Sequence, residues 1–384
     1  MRRTLLVTND FPPVVGGIQS YLDDFTRRLP AEDLVVLAST PPNEDDKTGE
    51  EIADAYDAAS PFPIHRLSTH MLVPDPLAIR RMSQLIASEG IETVWFGASA
   101  PLGLMGPAAH KAGATRTIVT THGHEVGWSM IPGARQMLKR IFADADVITY
   151  ISDYTVGRLR SCMPNTPHLV QLPSGIDTER FQPCPEMRTH LRGRYQLGEA
   201  PTVVCVSRLV HRKGQDSLIR VWPRVVNQVP DARLVIVGWG PLAKNLALAK
   251  RNSPVRDHII LTGVVPYDEL PGHVAMADVF AMPCRTRGGG LDVEGLGIVF
   301  LEAQAAGVPV IAGDSGGAPE TVIHGHTGFV VPGRDDDELV TRLVQLLRHS
   351  DLRADMGSAG RELMEANWTW PHLVQRLEDA INAR

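Results

Sequence analysis

Little in this chain supports a disulfide scaffold, a paired-cysteine zinc site, a nucleic-acid partner or a membrane span. Its four cysteines (Cys162, Cys184, Cys205 and Cys284) are scattered over 384 residues with no CxxC pair. A disulfide-dense secreted framework is thereby excluded, and a reducing cytoplasm is expected. The HExxH pattern is also missing, so His122-Gly-His124 lacks the further ligands that zinc needs. The net charge is −6, which leaves no global basic field to hold nucleic acid. No run of roughly 18 apolar residues occurs, the length needed to cross a bilayer. Arg2-Arg3 before Leu5-Leu6-Val7 has the look of a leader, but the apolar run stops at Asn9-Asp10, too soon for one.

What is present reads as an α/β protein. Hydrophobic residues make up 43% and charged residues 21%, the composition of a globular chain. The length exceeds one ordinary core and fits two domains of roughly 170–190 residues. Short apolar runs at 4–8, 34–38, 93–97, 117–121, 147–151 and 169–172 are separated by helix-length segments. The scheme repeats at 203–206, 233–237, 259–262, 279–282, 308–311 and 329–331. Such alternation predicts parallel sheets built from βαβ units. The turn-rich Pro173-Ser174-Gly175 marks the expected boundary. Residues 41–60 are polar and are expected to form an exposed, irregular insertion. Trp368-Thr369-Trp370-Pro371 opens a final helical pattern through Leu373, Val374, Leu377 and Ile381.

Chemistry concentrates in the second half. Glu294-Gly-Leu-Gly-Ile-Val-Phe-Leu-Glu302 sets two carboxylates eight residues apart around a glycine-containing turn that enters an apolar helix. A helix opening near Gly297 presents free N–H groups and the positive end of its dipole, which suits a phosphate. Glu294 before the turn and Glu302 on the helix can reach hydroxyls on either side. An anion site with two hydroxyl acceptors describes a sugar nucleotide. Upstream, the apolar run 203–206 leads into Ser207-Arg208-Leu209-Val210-His211-Arg212-Lys213-Gly214. Arg208 and Lys213 thus leave the end of a parallel strand, where ligands of open α/β sheets bind, and a guanidinium with an ammonium suits a diphosphate.

These segments resemble the donor half of family 4 of the retaining glycosyltransferases. Gly16-Gly17-Ile18-Gln19, Ser174-Gly-Ile-Asp-Thr-Glu-Arg-Phe181 and Gly316-Gly-Ala-Pro-Glu320 extend the resemblance over nearly the whole chain. It implies two facing Rossmann-like domains (the GT-B type) with a deep cleft between them. Residues 1–173 would be the acceptor domain and 174–367 the donor domain, with residues 368–384 crossing back to the first. Within the family the chain looks most like actinobacterial enzymes that move mannose from GDP-mannose onto phosphatidylinositol monomannoside, with an α-1,6 linkage expected. By the same resemblance Arg208, Lys213 and the amides of Gly297, Ile298 and Val299 hold the diphosphate. Glu294 binds sugar hydroxyls, Glu302 the ribose, and the backbone near Val265 the base. Gly16 and Gly17 approach the donor phosphate, and His122 touches the transferred sugar. Asp10, Gln19 and His122 face the acceptor. His122, Arg208, Lys213 and Glu294 form the expected catalytic set.

Several readings stay open on the residues alone. Gln19 either faces the acceptor or caps its own helix. Lys213 among cationic neighbours could carry pyridoxal phosphate, but the flanking pattern fits a transferase. Asp144-Ala-Asp146 and Asp335-Asp336-Asp337 match the DxD pattern of metal-dependent transferases; both are expected to be structural, the second as a helix cap. Cationic side chains and helix amides can supply the charge a metal would provide, so no metal cofactor is expected. With no spanning segment, a lipid acceptor would be met at the inner membrane surface by a peripheral, cytoplasmic enzyme. Arg135, Lys139 and Arg140, beside Met137, Leu138, Ile141 and Phe142, form one candidate membrane-docking helix, and Arg80-Arg81 lies in another. A transferase with a UDP-sugar donor or soluble acceptor is the nearest rival; a non-catalytic nucleotide-sugar binding module is the rival from another class.

Overall fold

The structure, a computed structural model, describes residues 1–43 and 47–383. It divides into two compact units: Met1–Ser174 together with the chain from Pro371 onward, and Gly175–Trp370. The first unit is a seven-stranded sheet of β1 (Thr4–Thr8), β2 (Leu34–Ser39), β3 (Ile64–Leu67), β4 (Thr93–Phe96), β5 (Arg116–Thr120), β6 (Val147–Tyr150) and β7 (Leu169–Gln171). Their order is β3-β2-β1-β4-β5-β6-β7, and every pairing is parallel. The second unit carries β8 (Thr202–Val206), β9 (Arg233–Val237), β10 (Ile259–Gly263), β11 (Val279–Met282), β12 (Val310–Gly313) and β13 (Gly328–Val331). Here the order is β10-β9-β8-β11-β12-β13, again parallel throughout. Both units are Rossmann-like.

The central strands are continuous apolar runs because helices cover both faces of each sheet. β1, β2 and β4 are buried at every position. In the first unit their side chains pack against Met82, Leu85 and Ile86 of the helix Pro76–Glu89 and Leu138, Ile141 and Phe142 of the helix Pro132–Asp144. β3 was not foreseen, for a physical reason. It is a half-buried edge strand whose sequence, Ile64-His-Arg-Leu67, carries too little hydrophobic signal. Its Arg66 grips Asp57 through two nitrogens at 2.7 Å.

Within 41–60 the expectation of an irregular insertion is corrected. Glu44, Asp45 and Asp46 lie outside the described residues, but Gly49–Ala59 is a helix. Thr48 and Glu51 form a reciprocal capping box: the Glu51 N–H donates to Thr48 Oγ1 and the Thr48 N–H to Glu51 Oε2. Thr-x-x-Glu is a legible start signal, outweighed here by the polar composition.

Each sheet has one point where strand order reverses, between β1 and β4 and between β8 and β11. Loops leaving the carboxyl ends of strands there form the crevices in which open α/β sheets bind ligands. The final helix, Trp370–Asn382, buries Leu373, Leu377 and Ile381 completely. From Pro371 it belongs to the first unit, where Asn382 Oδ1 accepts the Arg2 N–H at 2.9 Å. The chain leaves and re-enters that unit at neighbouring points: the Ile176 N–H donates to Trp368 O at 2.7 Å.

Candidate functional site

Two sets of polar residues gather at the carboxyl edges, one in each unit. In the second unit, β8 runs into a turn at His211–Lys213 closed by Gly214, whose φ of +80° puts it in the left-handed region. A Cβ at Gly214 would overlap the Pro283 carbonyl, so only glycine brings this turn so close to the segment leaving β11. Lys213 Nζ thereby reaches Glu294 Oε2 at 2.7 Å, with the two side chains only 11% and 8% exposed. Arg212 Nε is 3.6 Å from the same oxygen, and its Nη1 is 3.4 Å from Asp292 Oδ1.

Glu294 Oε2 has ion-pair distance but no aligned hydrogen bond, and Arg212 Nε has none either. A nearly buried carboxylate oxygen is therefore still able to accept from a ligand hydroxyl. The Glu294 backbone is clamped: its N–H donates to Ser315 Oγ at 3.2 Å, and its carbonyl accepts the Gly317 N–H at 3.0 Å. Gly316 permits this approach, because a Cβ there would overlap the Glu294 carbonyl. The Gly316-Gly317 loop thus serves to fix the carboxylate.

Gly297, at φ +89°, starts the helix Ile298–Ala305, which has no side-chain cap and no acidic residue in its first turn. Its N–H end is open to an anion, with Ile298 exposed at the tip. One turn on, burial pushes the Glu302 carboxyl up to about 7 against the opposing pull of Arg180. Arg208 is exposed and has no carboxylate partner among the described residues. It shares a cavity of about 280 Å³ with Ser207, Trp239, Val264, Val265 and Leu270. The donor residues named from the sequence thus fall into a tight Lys213–Glu294 pair, an open helix end, and a cavity holding Arg208 and Val265.

In the first unit, Gln19 Nε2 donates to Asp10 Oδ1 at 2.9 Å. Gln19 does not cap its helix: Gly16 stands at the cap of Gly17–Thr26 with no side-chain bond. A Cβ on Gly16 would overlap the Gln19 amide, whereas one on Gly17 would meet nothing within 4 Å. His122 Nε2 lies 2.7 Å from the Gly97 carbonyl, which requires the proton on Nε2 and leaves Nδ1 as an acceptor. Its pKa is lowered, first by burial, against the opposing charges of Glu125 and Asp10; the ring is held neutral. Tyr21 packs edge-on against it at 5.1 Å between ring centres, and the Tyr21 hydroxyl donates to Leu172 O at 2.8 Å.

Sequence reasoning missed Glu125. Fully buried, it accepts the N–H groups of His122 (3.1 Å) and Gly123 (2.9 Å) and the Ser99 hydroxyl (3.0 Å). It shapes the loop that presents His122, and the available signal was a carboxylate three residues after the histidine at a strand end. The two aspartate patterns are tied into local structure. Asp146 Oδ2 accepts the Thr117 N–H at 2.7 Å, and Asp335 Oδ1 accepts from Asp337 and Glu338 at 3.0 and 2.9 Å. In the candidate docking helix, Leu138, Ile141 and Phe142 are turned into the core. Its exposed charges are the basic Lys139 and Arg140 and, at its last residue, the acidic Asp144, while the exposed apolar residues Met130 and Ile131 immediately precede it.

Comparison with known proteins follows the same division. A model described as glycosyl transferases group 1 matches residues 188–363, and one described as glycosyltransferase family 4 matches residues 15–180. The chain is 52% identical, over 99% of its length and 98% of the relative's, to a Mycobacterium tuberculosis protein named GDP-mannose-dependent alpha-(1-6)-phosphatidylinositol monomannoside mannosyltransferase. A Corynebacterium glutamicum protein, named for the monoacylated form of that acceptor, is 48% identical over 100% of this chain and 98% of its own. Among solved structures, Anabaena Alr3699/HepE in complex with UDP superposes with a TM-score of 0.81 at 17% identity, each chain covered completely.

Proposed function

This chain belongs to the family 4, group 1 glycosyltransferases, and on that premise we propose that it transfers mannose from GDP-mannose to a phosphatidylinositol monomannoside, forming an α-1,6 linkage with retention of configuration. The observation that carries the reading is the Lys213–Glu294 pair: a nearly buried cation and a carboxylate oxygen with no aligned hydrogen bond, 2.7 Å apart. A sugar diphosphate satisfies both, with phosphate on the ammonium and a sugar hydroxyl on the carboxylate. The open end of Ile298–Ala305 supplies amides to the same diphosphate. The full-length likeness to the two named relatives supports the donor and acceptor.

In the proposed reaction the acceptor hydroxyl oxygen attacks the anomeric carbon on the face from which GDP departs. The bond between that carbon and the phosphate oxygen breaks as the glycosidic bond forms, and the hydroxyl proton passes to the leaving phosphate. Arg208, Lys213 and the helix amides stabilise the charge that grows on GDP, so the reaction is proposed to need no divalent metal. Glu294 orients the sugar rather than attacking it, unlike the nucleophile of a retaining glycosidase. Asp10, Gln19 and neutral His122 hold the acceptor. Among the described residues no helix is long and apolar enough to cross a membrane, and the enzyme is proposed to work as a peripheral protein on the cytoplasmic face.

The test is calorimetry with GDP, UDP, GDP-mannose and UDP-glucose, without metal and then with magnesium, followed by transfer from labelled GDP-mannose to the purified acceptor. Metal-independent preference for guanine nucleotides and a labelled dimannoside are expected. Preference for uridine nucleotides would overturn the donor assignment, and a sugar trapped covalently on an enzyme carboxylate would overturn the mechanism.

A further inference from the structure

The turn after β9, Val237-Gly-Trp-Gly-Pro241, has no role in the catalytic set, yet it holds the one exposed tryptophan of the six in the chain. Trp95 and Trp222 are completely buried and Trp370 nearly so, whereas Trp239 is 64% exposed. Its position is not loose. A Cβ on Gly238 (φ +132°) would overlap the Ser207 carbonyl, and one on Gly240 would come within 2.5 Å of the Leu209 carbonyl. The glycines on either side thus let the turn lie directly on residues 207–209, the stretch that carries Arg208. Hydrogen bonds fasten it there. Leu209 N–H donates to Trp239 O at 2.9 Å, Ser207 N–H to Val237 O at 3.1 Å, and Leu242 N–H to Leu209 O at 3.1 Å. On the other side Gly238 N–H donates to Gly263 O at 2.9 Å. A fixed backbone therefore presents a large apolar ring to water, a cost that a ligand would relieve.

The indole lines two cavities. One, of about 280 Å³, is closed by Val264, Val265 and Leu270; the other, of about 530 Å³, holds Pro241 and Lys244; Arg208 belongs to both. Val264 in the smaller cavity is itself 74% exposed. An aromatic wall together with exposed aliphatic side chains suits a flat ring better than a sugar or a phosphate, and Arg208 at the edge suits a phosphate linked to that ring through the ribose.

We propose that Trp239 stacks on the nucleobase of the donor and, through the greater face of a purine, favours guanine over uracil. The inference rests on the reading of the chain as a nucleotide-sugar transferase but goes beyond it, since the relatives' names say which donor they use and not what selects its base. Backbone contacts near Val265 accommodate a base of either size, whereas stacking grows with ring area.

Calorimetry with GDP and UDP on the full chain, as wild type, Trp239→Phe and Trp239→Ala, tests it. Trp239→Ala is expected to weaken GDP by roughly tenfold or more, to weaken UDP less, and so to narrow the GDP-to-UDP ratio. Trp239→Phe should keep most of that ratio. Fluorescence quenching by GDP should be lost in both variants, and an unchanged thermal midpoint would exclude a folding defect at this exposed position. Equal weakening of GDP and UDP, or no weakening of GDP, would overturn the stacking role while leaving the donor assignment intact. Failure of the wild type to bind GDP would overturn both.

Discussion

Replacing Glu294 by Gln removes a charge at constant shape, and the consequences can be worked from the geometry. In the native chain the carboxylate lies 2.7 Å from Lys213 Nζ and 3.6 Å from Arg212 Nε. Both members of the Lys213 pair are about nine-tenths buried. Without the carboxylate, the ammonium has no other carboxylate partner among the described residues, and Asp292 is left to balance the Arg212 guanidinium. Breaking a buried ion pair from one side costs about 3–5 kcal/mol; the low end applies here because the site opens to solvent. A loss of about 3 kcal/mol in a unit of this size lowers the thermal midpoint by roughly 6–12 °C. GDP should reverse much of this, since its diphosphate brings back negative charge, and at about a hundred times Kd binding alone adds about 2.7 kcal/mol. The expected pattern in thermal unfolding and calorimetry is a destabilised free variant, GDP affinity equal to or above wild type, and mannose transfer reduced at least about a hundredfold. A free variant as stable as wild type would refute the electrostatic account of the pair. Undiminished transfer would refute the assignment of Glu294 to the sugar.

Other expectations follow from neighbouring groups. The Glu302 carboxyl is raised from 4.5 to about 7 by burial; the folded chain thus binds this proton more tightly than the unfolded one. Stability from this group is lost as pH rises from about 4.5 to about 7, by up to about 3 kcal/mol. Glu302→Gln should therefore raise the midpoint at pH 8 relative to wild type and leave it unchanged near pH 4, and equal effects at both would disprove the shift. Glu125→Gln places an amide N–H group against the donors of His122, Gly123 and Ser99; a loss of about 2–4 kcal/mol in denaturant unfolding is expected, and a neutral result would dismiss Glu125 as the anchor of the loop. Reversing Lys139 and Arg140 to Glu should cut sedimentation with anionic vesicles and leave it unaltered with neutral ones; full retention on anionic vesicles would remove this helix from the membrane account.

The legible parts of this protein are those written locally. Apolar runs such as Val203-Val-Cys-Val206 disclose buried parallel strands, and glycine before an apolar helix at Gly297 discloses an anion-ready terminus. Arg208 and Lys213 are legible because they follow a strand end, Glu294 and Glu302 because they flank a glycine turn that enters a helix. Their grouping was not legible: Lys213 and Glu294 are 81 residues apart, and they meet only because the strands they follow, β8 and β11, are neighbours. Glu125 was overlooked because a buried carboxylate satisfied by backbone N–H groups looks, in sequence, like any loop acid. Trp239 was passed over because exposure cannot be read from an aromatic in an apolar stretch. The edge strand β3 and the helix at Gly49–Ala59 show a different limit, polar composition masking regular structure that edge pairing and a capping box maintain.

The final helix has a consequence for synthesis. Its buried residues Leu373, Leu377 and Ile381 complete the first unit, yet they leave the ribosome only after every residue of the second. The first unit must therefore wait, with an apolar surface uncovered, while Gly175–Trp370 is made, and the second unit is free to finish first. Order of emergence and order of completion are inverted. A nascent chain stalled before residue 371 should bind chaperones through the waiting face of the earlier unit, although nearly all of that unit has long been translated.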